Sequence, residues 1–572
     1  VLKIQIQVEP PVGFGEQEWI NILKTCRVHP SVVIYCFGNE EYLDEKKISF
    51  LRTLAGHVHR QVPDALFNPQ SALRGVEYTW EVDKTGLGPG AVEKPFPYNP
   101  RRLNLLKEFS DVYGSYAWGM LSYVSLRGNW QELDKRMAVY ERPILSHELG
   151  IHGNYLNLDL EHRFERTREG PGPFAATRNS LERAGLLSKA ELYYRNSCAW
   201  MRTLRKETLE MARKVKYLAG YDFLGAMDHN WPICGFPGGI TNDFLETKPG
   251  EEPSDIRKYN GESVLLLDCS NRRNFLAGET VEFDVLASLY GDSVLGEGIL
   301  RWRLMSQNGS VLGRASWRLR GVQNGMIEKL GPWKFTFPML EKPTKATLVV
   351  ELSGGHYELA NNWDFWVFPK PARTRSGVGA DAAVRRKLVA QYAGLQPIRS
   401  SLREQLRVVS ALDHDSVSFL RQGGRVLLLG KEPFKALPTS FQLSVCGRVR
   451  GNLATVISDH PLMRDFPHEG YCDWQFYSLL NHGSAVNFND LPVNFDPIIE
   501  VVSSFKLIIK QANLFEFKVG DGKLLVSTMN MDLSDPATPY LISRLIEYSQ
   551  GPEFMPNCQL APETLSELIS RK

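Results

Sequence analysis

Apolar and polar residues alternate from Leu2 through Lys3, Ile4, Gln5, Ile6 and Gln7 to Val8, which predicts a strand with one buried face. The period then lengthens. Trp19, Ile20, Leu23 and Cys26 fall at helical spacing within Glu16–His29. Val32–Phe37 is a continuous apolar run, as expected of a strand covered on both faces. Tyr42–Val62 reads as a helix with Ile48, Leu51, Leu54, Val58 and Val62 on one stripe. Further strands are expected at Ala65–Phe67, Asp111–Tyr116, Pro143–Ser146 and Tyr221–Met227. Helices are expected at Arg101–Phe109, Leu126–Val139 and Ser188–Leu218, the last opened by Ser188 with Glu191 three residues on. Long loops separate them at Gly86–Pro100 and Gly150–Pro173. Strand and helix in alternation imply a parallel sheet with crossover helices. The order is that of a TIM-type (β/α) barrel lacking its first two strands, so that the chain opens inside a domain.

Pro249–Asp255, rich in proline, glycine and acid, marks a boundary. Beyond it the pattern changes to short strands with turns: Ser263–Asp268, Thr280–Leu286, Gly298–Leu304, Trp333–Phe337 and Thr347–Leu352. That spacing predicts an antiparallel, immunoglobulin-like β-sandwich. Pro369–Gly379 reads as a linker. From Ala380 the α/β signals return, with a helix at Asp415–Gln422, buried strands at Arg425–Leu429 and Lys523–Ser527, and a closing helix at Pro539–Ser549. Three domains are therefore expected: a partial barrel over residues 1–252, a sandwich over 258–370 and an α/β domain over 380–572.

Composition narrows the function classes. Apolar residues make up 43% and charged residues 23%, which excludes a mostly disordered or fibrous chain. Lys and Arg number 67 against 65 Asp and Glu, so no global basic surface points to nucleic acid. No apolar run is long enough to span a membrane. The 12 Trp and 21 Tyr suit the stacking of sugar faces, though composition alone favours a large core. The 8 Cys residues include no Cys-x-x-Cys pair, which argues against structural zinc and a disulfide scaffold. No three-ligand set at metal spacing is found, so neither metal nor cofactor is expected. No signal-peptide pattern precedes the first strand. With the start read as a cut through the barrel, the compartment stays open, a periplasmic or secreted location being one expectation.

In a parallel barrel, chemistry sits where strands end. Val32–Phe37 ends in Gly38-Asn39-Glu40-Glu41, and Pro143–Ser146 ends in His147-Glu148-Leu149-Gly150. Two carboxylates at one rim are what glycoside hydrolysis requires, one to protonate the leaving oxygen and one to attack the anomeric carbon. The bland alternative makes each Glu a rim ion pair. Secondary candidates at the same rim are Glu9, Asn68, Gln70, Tyr113, Tyr116, Trp118, Asp228, His229, Asn230 and Trp231, with His147 and His152 flanking the second acid. Packing is about as good an account of any one of these as substrate binding. Arg101, Arg102, Arg142 and Arg195 could pair with an acidic sugar or simply be solvated.

The segment His29-Pro30-Ser31-Val32-Val33-Ile34-Tyr35-Cys36-Phe37-Gly38-Asn39-Glu40 resembles the acid/base signature of glycoside hydrolase family 2, and Arg142-Pro143-Ile144-Leu145-Ser146-His147-Glu148-Leu149-Gly150 resembles its nucleophile segment. The resemblance implies a retaining β-glycosidase, with the two acids on the fourth and seventh barrel strands. Glu40 would be the acid/base, Glu148 the nucleophile, and Asn39 a ligand of the sugar 2-hydroxyl. His147, Tyr116, Trp118, Asp228 and Trp231 would be substrate-binding, with no metal and no cofactor. Barrel followed by sandwich is also the family's order, so the resemblance covers residues up to about 370. The family further carries a jelly-roll and a first sandwich ahead of the barrel.

Leu412–Gly430 resembles the glutamine-amidotransferase-like fold, which places a Cys at a Gly-x-Cys-x-Gly elbow. Here Gly430 is followed by Lys431-Glu432-Pro433, and Cys472 lies in Tyr-Cys-Asp-Trp. The domain is therefore expected to be non-catalytic, serving assembly, with homo-oligomer contacts through it as the corresponding expectation. The functional expectation is a retaining exo-β-glycosidase (β-galactoside, β-glucuronide or a related sugar) acting on an oligosaccharide or polysaccharide, with no nucleic-acid or membrane partner. The alternative is a carbohydrate-binding or scaffolding protein that kept the fold without turnover.

Overall fold

A computed structural model describes residues 2–6, 15–77, 97–116, 130–150, 152–228, 237–269, 272–370, 377–392, 394–398, 405–439, 441, 452–505 and 507–571. The chain divides into two units. The first comprises Val1–His152, Leu204–Asp228 and Gly238–Glu246, and the second Gly153–Thr203, His229–Pro237 and Thr247–Lys572.

The first unit is built from six strands in chain order: β1 (Leu2–Ile6), β2 (Val32–Phe37), β3 (Leu66–Asn68), β4 (Tyr113–Ser115), β5 (Ile144–Leu149) and β6 (Leu218–Phe223). β1, β2 and β3 pair in parallel, as do β4, β5 and β6. The two sheets meet between β3 and β4. The Asp111 N–H donates to Phe67 O at 3.1 Å, and the Gly114 N–H donates to Asn68 Oδ1 at 3.1 Å. Gly114 has no room for a side chain, since a Cβ there would lie 2.3 Å from Ser71 O. Sequential parallel pairing is what the strand–helix alternation predicts.

Helix α1 (Gly15–Cys26) lays Trp19 against β2 and β3. The indole is 1% exposed, donates to Leu54 O at 3.2 Å, and meets Tyr35, Phe37 and Phe67 edge-on with centroids 6.4, 5.9 and 6.3 Å away. Burial of one such ring contributes roughly 1.5–3 kcal/mol, and each edge contact about 0.5–1.5 more. Helix α2 (Glu45–Gln61) starts where Asp44 Oδ1 accepts from Lys47 N at 2.8 Å, and buries Ile48, Leu51, Leu54, Ala55 and Val58, four of them on the expected stripe. Covered in this way, β2 is fixed, and the residues that leave it at Gly38 are aimed by the packing behind them.

The last strand of this unit differs from expectation. It runs Leu218–Phe223 rather than Tyr221–Met227. Its residues are mostly half-buried, so no sharp apolar pattern marks where it ends, and the apolar Leu224, Ala226 and Met227 beyond it mimic its continuation.

In the second unit, eight strands form two sheets over one core. They are β7 (Val264–Asp268), β8 (Asn274–Leu276), β9 (Thr280–Ser288), β10 (Leu295–Ser306), β11 (Val311–Val322), β12 (Ile327–Thr336), β13 (Thr344–Gly354) and β14 (Tyr357–Phe368). The sheet orders are β11-β10-β13-β14-β8 and β12-β9-β7, antiparallel except where β14 meets β8. Trp333, Trp302, Phe283 and Phe365 fill the space between them, with Trp333 stacked on Phe365 at 5.9 Å. From Val378 onward a mixed sheet follows. Val378–Ala380, Leu406–Ala411, Arg425–Glu432 and Gly522–Ser527 run parallel, and Gln511–Val519 then turns antiparallel. Phe368 packs on Phe466 and Tyr540, joining sandwich to sheet.

Gly153–Thr203, expected with the barrel, belongs to this second unit. Lys189 and Tyr193 bind the carboxylate of Glu500, Asn196 donates to Thr455 O at 2.9 Å, and Trp200 lies on Phe441 at 4.4 Å. Glu500 is buried, so its charge requires these partners, and they fix the segment to the C-terminal sheet.

Candidate functional site

Strand β2 delivers its chain to Gly38, whose φ of +69° only glycine adopts without strain, and then to Asn39 and Glu40. Glu40 itself has φ +56°, and Glu148 on β5 has φ +51°. Six non-glycine residues among those described have positive φ, and the two sequence-derived acids are among them. Left-handed backbone costs a non-glycine residue about 1–2 kcal/mol, and such strain collects where function holds a side chain in place.

At Glu148 the cause is visible. The β5–β6 register shifts between Ser146 and Leu149, so residues 147 and 148 form an irregularity in the ladder. The Glu148 N–H is taken by Asp222 Oδ1 at 2.7 Å. Tyr116, just after β4, donates its hydroxyl to Glu148 Oε2 at 3.0 Å. His147 Nε2 lies 3.4 Å from Glu148 Oε1, and His147 Nδ1 lies 3.2 Å from both carboxylate oxygens of Asp222. The Tyr116 and His147 rings are 5.2 Å apart. Gly150, at φ +82°, lets Phe223 pass close by, since a Cβ there would lie 2.5 Å from its ring.

Glu40 and Glu148 are near enough to act on each other. Burial pushes the Glu40 carboxyl up to about 7, and the negative charge of Glu148 pushes in the same direction, while His147 and Arg74 pull it down. For His147, burial alone would favour the neutral ring. Its hydrogen bonds and charge pairing with Asp222 and Glu148 outweigh that and raise it to about 9. Chemically this is an acid that keeps its proton near neutral pH, beside a carboxylate supplied with a hydroxyl donor and a cation.

Glu41, the alternative acid, is bound by Lys47, and its backbone oxygen accepts from Gln70 Nε2 at 2.7 Å, so it works as part of the frame. Asn39 is half-buried, and its Oδ1 is enclosed with no donor among the described residues. Asn68 Oδ1 accepts from the Gln70 and Gly114 amides, stitching β3 to β4. Tyr113 is buried against Tyr140 at 5.3 Å, away from solvent. Asp228 is buried, with Oδ1 accepting from Gly239 N at 2.8 Å, and so ties down the loop that follows. His152 is buried with Nε2 3.0 Å from Thr208 Oγ1, and burial together with Arg205 lowers it to about 3, which keeps it neutral. Of the expected arginines, Arg101 reaches Glu45 at 3.5 Å from an exposed position, Arg102 covers Tyr42, Arg142 donates to Ser110 O at 3.3 Å, and Arg195 is exposed. Glu9, Trp118, His229, Asn230 and Trp231 lie outside the described residues.

The structure thus brings together Glu40, Glu148, His147 and Tyr116. It adds two residues that the sequence reading passed over, Asp222 and Arg74. Asp222 was hidden by the strand boundary: with the strand ending at Phe223, the rim carboxylate is Asp222, six residues before Asp228. Among the described residues no group of three or more His, Cys, Asp or Glu side chains is arranged to hold a metal, and no helix is long and apolar enough to cross a membrane.

In the C-terminal region Cys472 lies outside the strands, with its N–H donating to Thr455 Oγ1 at 2.7 Å; it is fully buried, and burial pushes its thiol up to about 12, which leaves no thiolate for nucleophilic work at neutral pH.

Two family models match parts of the chain, a domain of unknown function (DUF8487) over residues 407–570 and another (DUF8488) over residues 279–369. No curated protein matches in sequence. Among solved structures, the chain is similar to the apo form of Bacteroides uniformis beta-glucuronidase 3, with 16% identity and a TM-score of 0.30 over 65% of this chain and 42% of that one. It is similar to Parabacteroides merdae beta-glucuronidase, with 13% identity and a TM-score of 0.29 over 65% and 44%. It is also similar to a putative beta-galactosidase from Bacteroides fragilis, with 15% identity and a TM-score of 0.29 over 64% and 45%. The chain spans less than half the length of these structures. It is a mixed α/β and β-sheet protein, and the solved structures to which it is similar are glycosidases.

Proposed function

We propose that this chain carries the catalytic centre of a retaining exo-β-glycosidase. The observation that carries the reading is the split between two neighbouring acids: Glu40 is raised to about 7, while Glu148 accepts from Tyr116 and faces His147. The two motifs resembling glycoside hydrolase family 2 fall on these same residues.

In the first step Glu148 attacks the anomeric carbon as the bond to the leaving oxygen breaks, and Glu40 gives that oxygen its proton. A glycosyl ester of Glu148 forms and the leaving alcohol departs. In the second step Glu40, now ionised, takes a proton from water, and the water oxygen displaces Glu148 from the anomeric carbon. The sugar leaves with retained configuration and both carboxyls return to their starting states. Asn39, next to Glu40 in the motif, is the residue assigned to the sugar 2-hydroxyl by the same resemblance. Substrates are terminal β-linked sugars of the galactoside or glucuronide type, on an oligosaccharide or polysaccharide.

The test compares aryl glycosides of good and poor leaving groups. Glu40→Ala should spare the first step for good leaving groups and recover turnover with added azide, which needs no base. Sugar binding with no turnover of any aryl glycoside would instead make the protein a carbohydrate-binding one.

A further inference from the structure

We propose that Asp222 and His147 form a positioning pair for Glu148, with His147 acting as an imidazolium clamped between two carboxylates rather than as a sugar ligand. This rests on reading Glu148 as the nucleophile. The geometry carries it in three parts. First, one carboxylate serves two groups: Asp222 Oδ1 accepts the Glu148 amide at 2.7 Å, and both oxygens lie 3.2 Å from His147 Nδ1. The ladder irregularity at 147–148 withdraws that amide from regular pairing with β6, and Asp222 supplies its acceptor. Second, each ring nitrogen of His147 faces a carboxylate, Nδ1 toward Asp222 and Nε2 toward Glu148 Oε1 at 3.4 Å. A neutral imidazole carries one proton and can donate only one way, whereas the imidazolium donates both ways. Third, the ring is 5% exposed, with the Tyr116 ring 5.2 Å away, so it is held by protein.

The groups that bear on its charge are Asp222 from β6, Glu148 from its own strand, Glu40 from the turn after β2, and Tyr116 after β4 as a ring contact. Asp222 and Glu148 favour the cation against its burial, consistent with a proton retained to about pH 9. The cation in turn draws the Glu40 carboxyl down, so the pair sets both the orientation of one acid and the working pH of the other.

The test uses the full chain. Asp222→Asn keeps an oxygen for the Glu148 amide and removes the charge. It should lower kcat at least about tenfold at pH 8 and much less at pH 5.5, with KM little changed. His147→Gln should lower kcat at all pH values and move the alkaline limb of the Glu40 profile upward, because a cation that favours ionised Glu40 is gone. Unaltered pH profiles in both variants, with the parent active, would overturn the pair while leaving the glycosidase reading intact. Histidine NMR decides the matter independently of turnover, with the His147→Gln spectrum identifying the signal. His147 should stay doubly protonated through pH 8 in the parent and titrate below that in Asp222→Asn. Titration near the ordinary value of about 6.5 in the parent would contradict the proposal. A parent that hydrolyses no aryl glycoside but shows the retained proton would sink the glycosidase reading alone.

Discussion

Tyr116 donates its hydroxyl to Glu148 Oε2 at 3.0 Å, so the residue that follows β4 supplies a donor to the carboxylate proposed as nucleophile. A hydrogen bond to a charged group contributes roughly 1.5–3 kcal/mol, and about 1.4 kcal/mol corresponds to a factor of ten. Tyr116→Phe should therefore lower kcat/KM by about 10- to 100-fold with near-normal thermal unfolding. Unchanged kinetics would show that the bond does no catalytic work.

As the proposed acid, Glu40 should couple activity to pH with a definite sign. Its carboxyl must be protonated to serve the leaving group, so kcat/KM should hold on the acid side and fall as pH rises through about 7. A flat profile from pH 6 to 9 would remove Glu40 from the acid role.

Stability should show the same group in reverse. The folded-state value of Glu40 stands at about 7 against an ordinary 4.5, so the fold favours the protonated form. The stability this contributes is fully present below about pH 4.5 and is lost as pH rises to about 7. Glu40→Gln should accordingly be more stable than the parent at pH 8, by on the order of 2–3 kcal/mol, and about equally stable at pH 4. A variant no more stable than the parent at pH 8 would mean that the burial of this acid carries no stability cost.

The strands that carry the two proposed acids were legible in the sequence: Val32–Phe37 is the buried apolar run that leads to Glu40, while Glu148 lies within a strand, Ile144–Leu149, that runs past the Pro143–Ser146 expected of it because Ser146, His147 and Glu148 break the apolar pattern. The strand–helix alternation likewise foretold sequential parallel pairing, and the turn-rich middle foretold two sheets over one core. What the sequence hid was register. Strand β6 has no strong face, and the apolar residues after Phe223 extend its pattern, so the pattern points to Asp228 rather than Asp222 as the residue at its end. Arg74, which draws Glu40 down, follows β3 in an irregular segment whose course no period predicts. The attachment of Gly153–Thr203 to the second unit depends on a buried Glu500 more than 300 residues away in the chain, a pairing that local pattern does not encode.

Gly150 shows how narrowly the turn after Glu148 is fitted. With φ +82° and Phe223 2.5 Å from where a Cβ would stand, Gly150→Ala should cost about 2–4 kcal/mol and displace the strand end that carries Asp222. Activity should fall further than the loss of folded protein explains, measured as kcat per native molecule. Full activity per folded molecule would separate this turn from the site.

Cys472 should be silent. With its thiol pushed up to about 12 and fully buried, it should resist iodoacetamide at pH 8 in the native protein and react only on unfolding. Rapid native-state alkylation accompanied by loss of an activity would restore a catalytic role to the C-terminal region.

In the proposed double displacement Glu148 forms a covalent bond to sugar. Incubation with 2-deoxy-2-fluoro glycosyl fluorides of the galactosyl, glucosyl and glucuronyl types, followed by peptide mass spectrometry, tests it most directly. One fluorosugar increment is expected on the peptide containing Glu148, absent from Glu148→Ala and released slowly by an added acceptor alcohol. No adduct with any of these sugars, or an adduct on Glu40 instead, would contradict it.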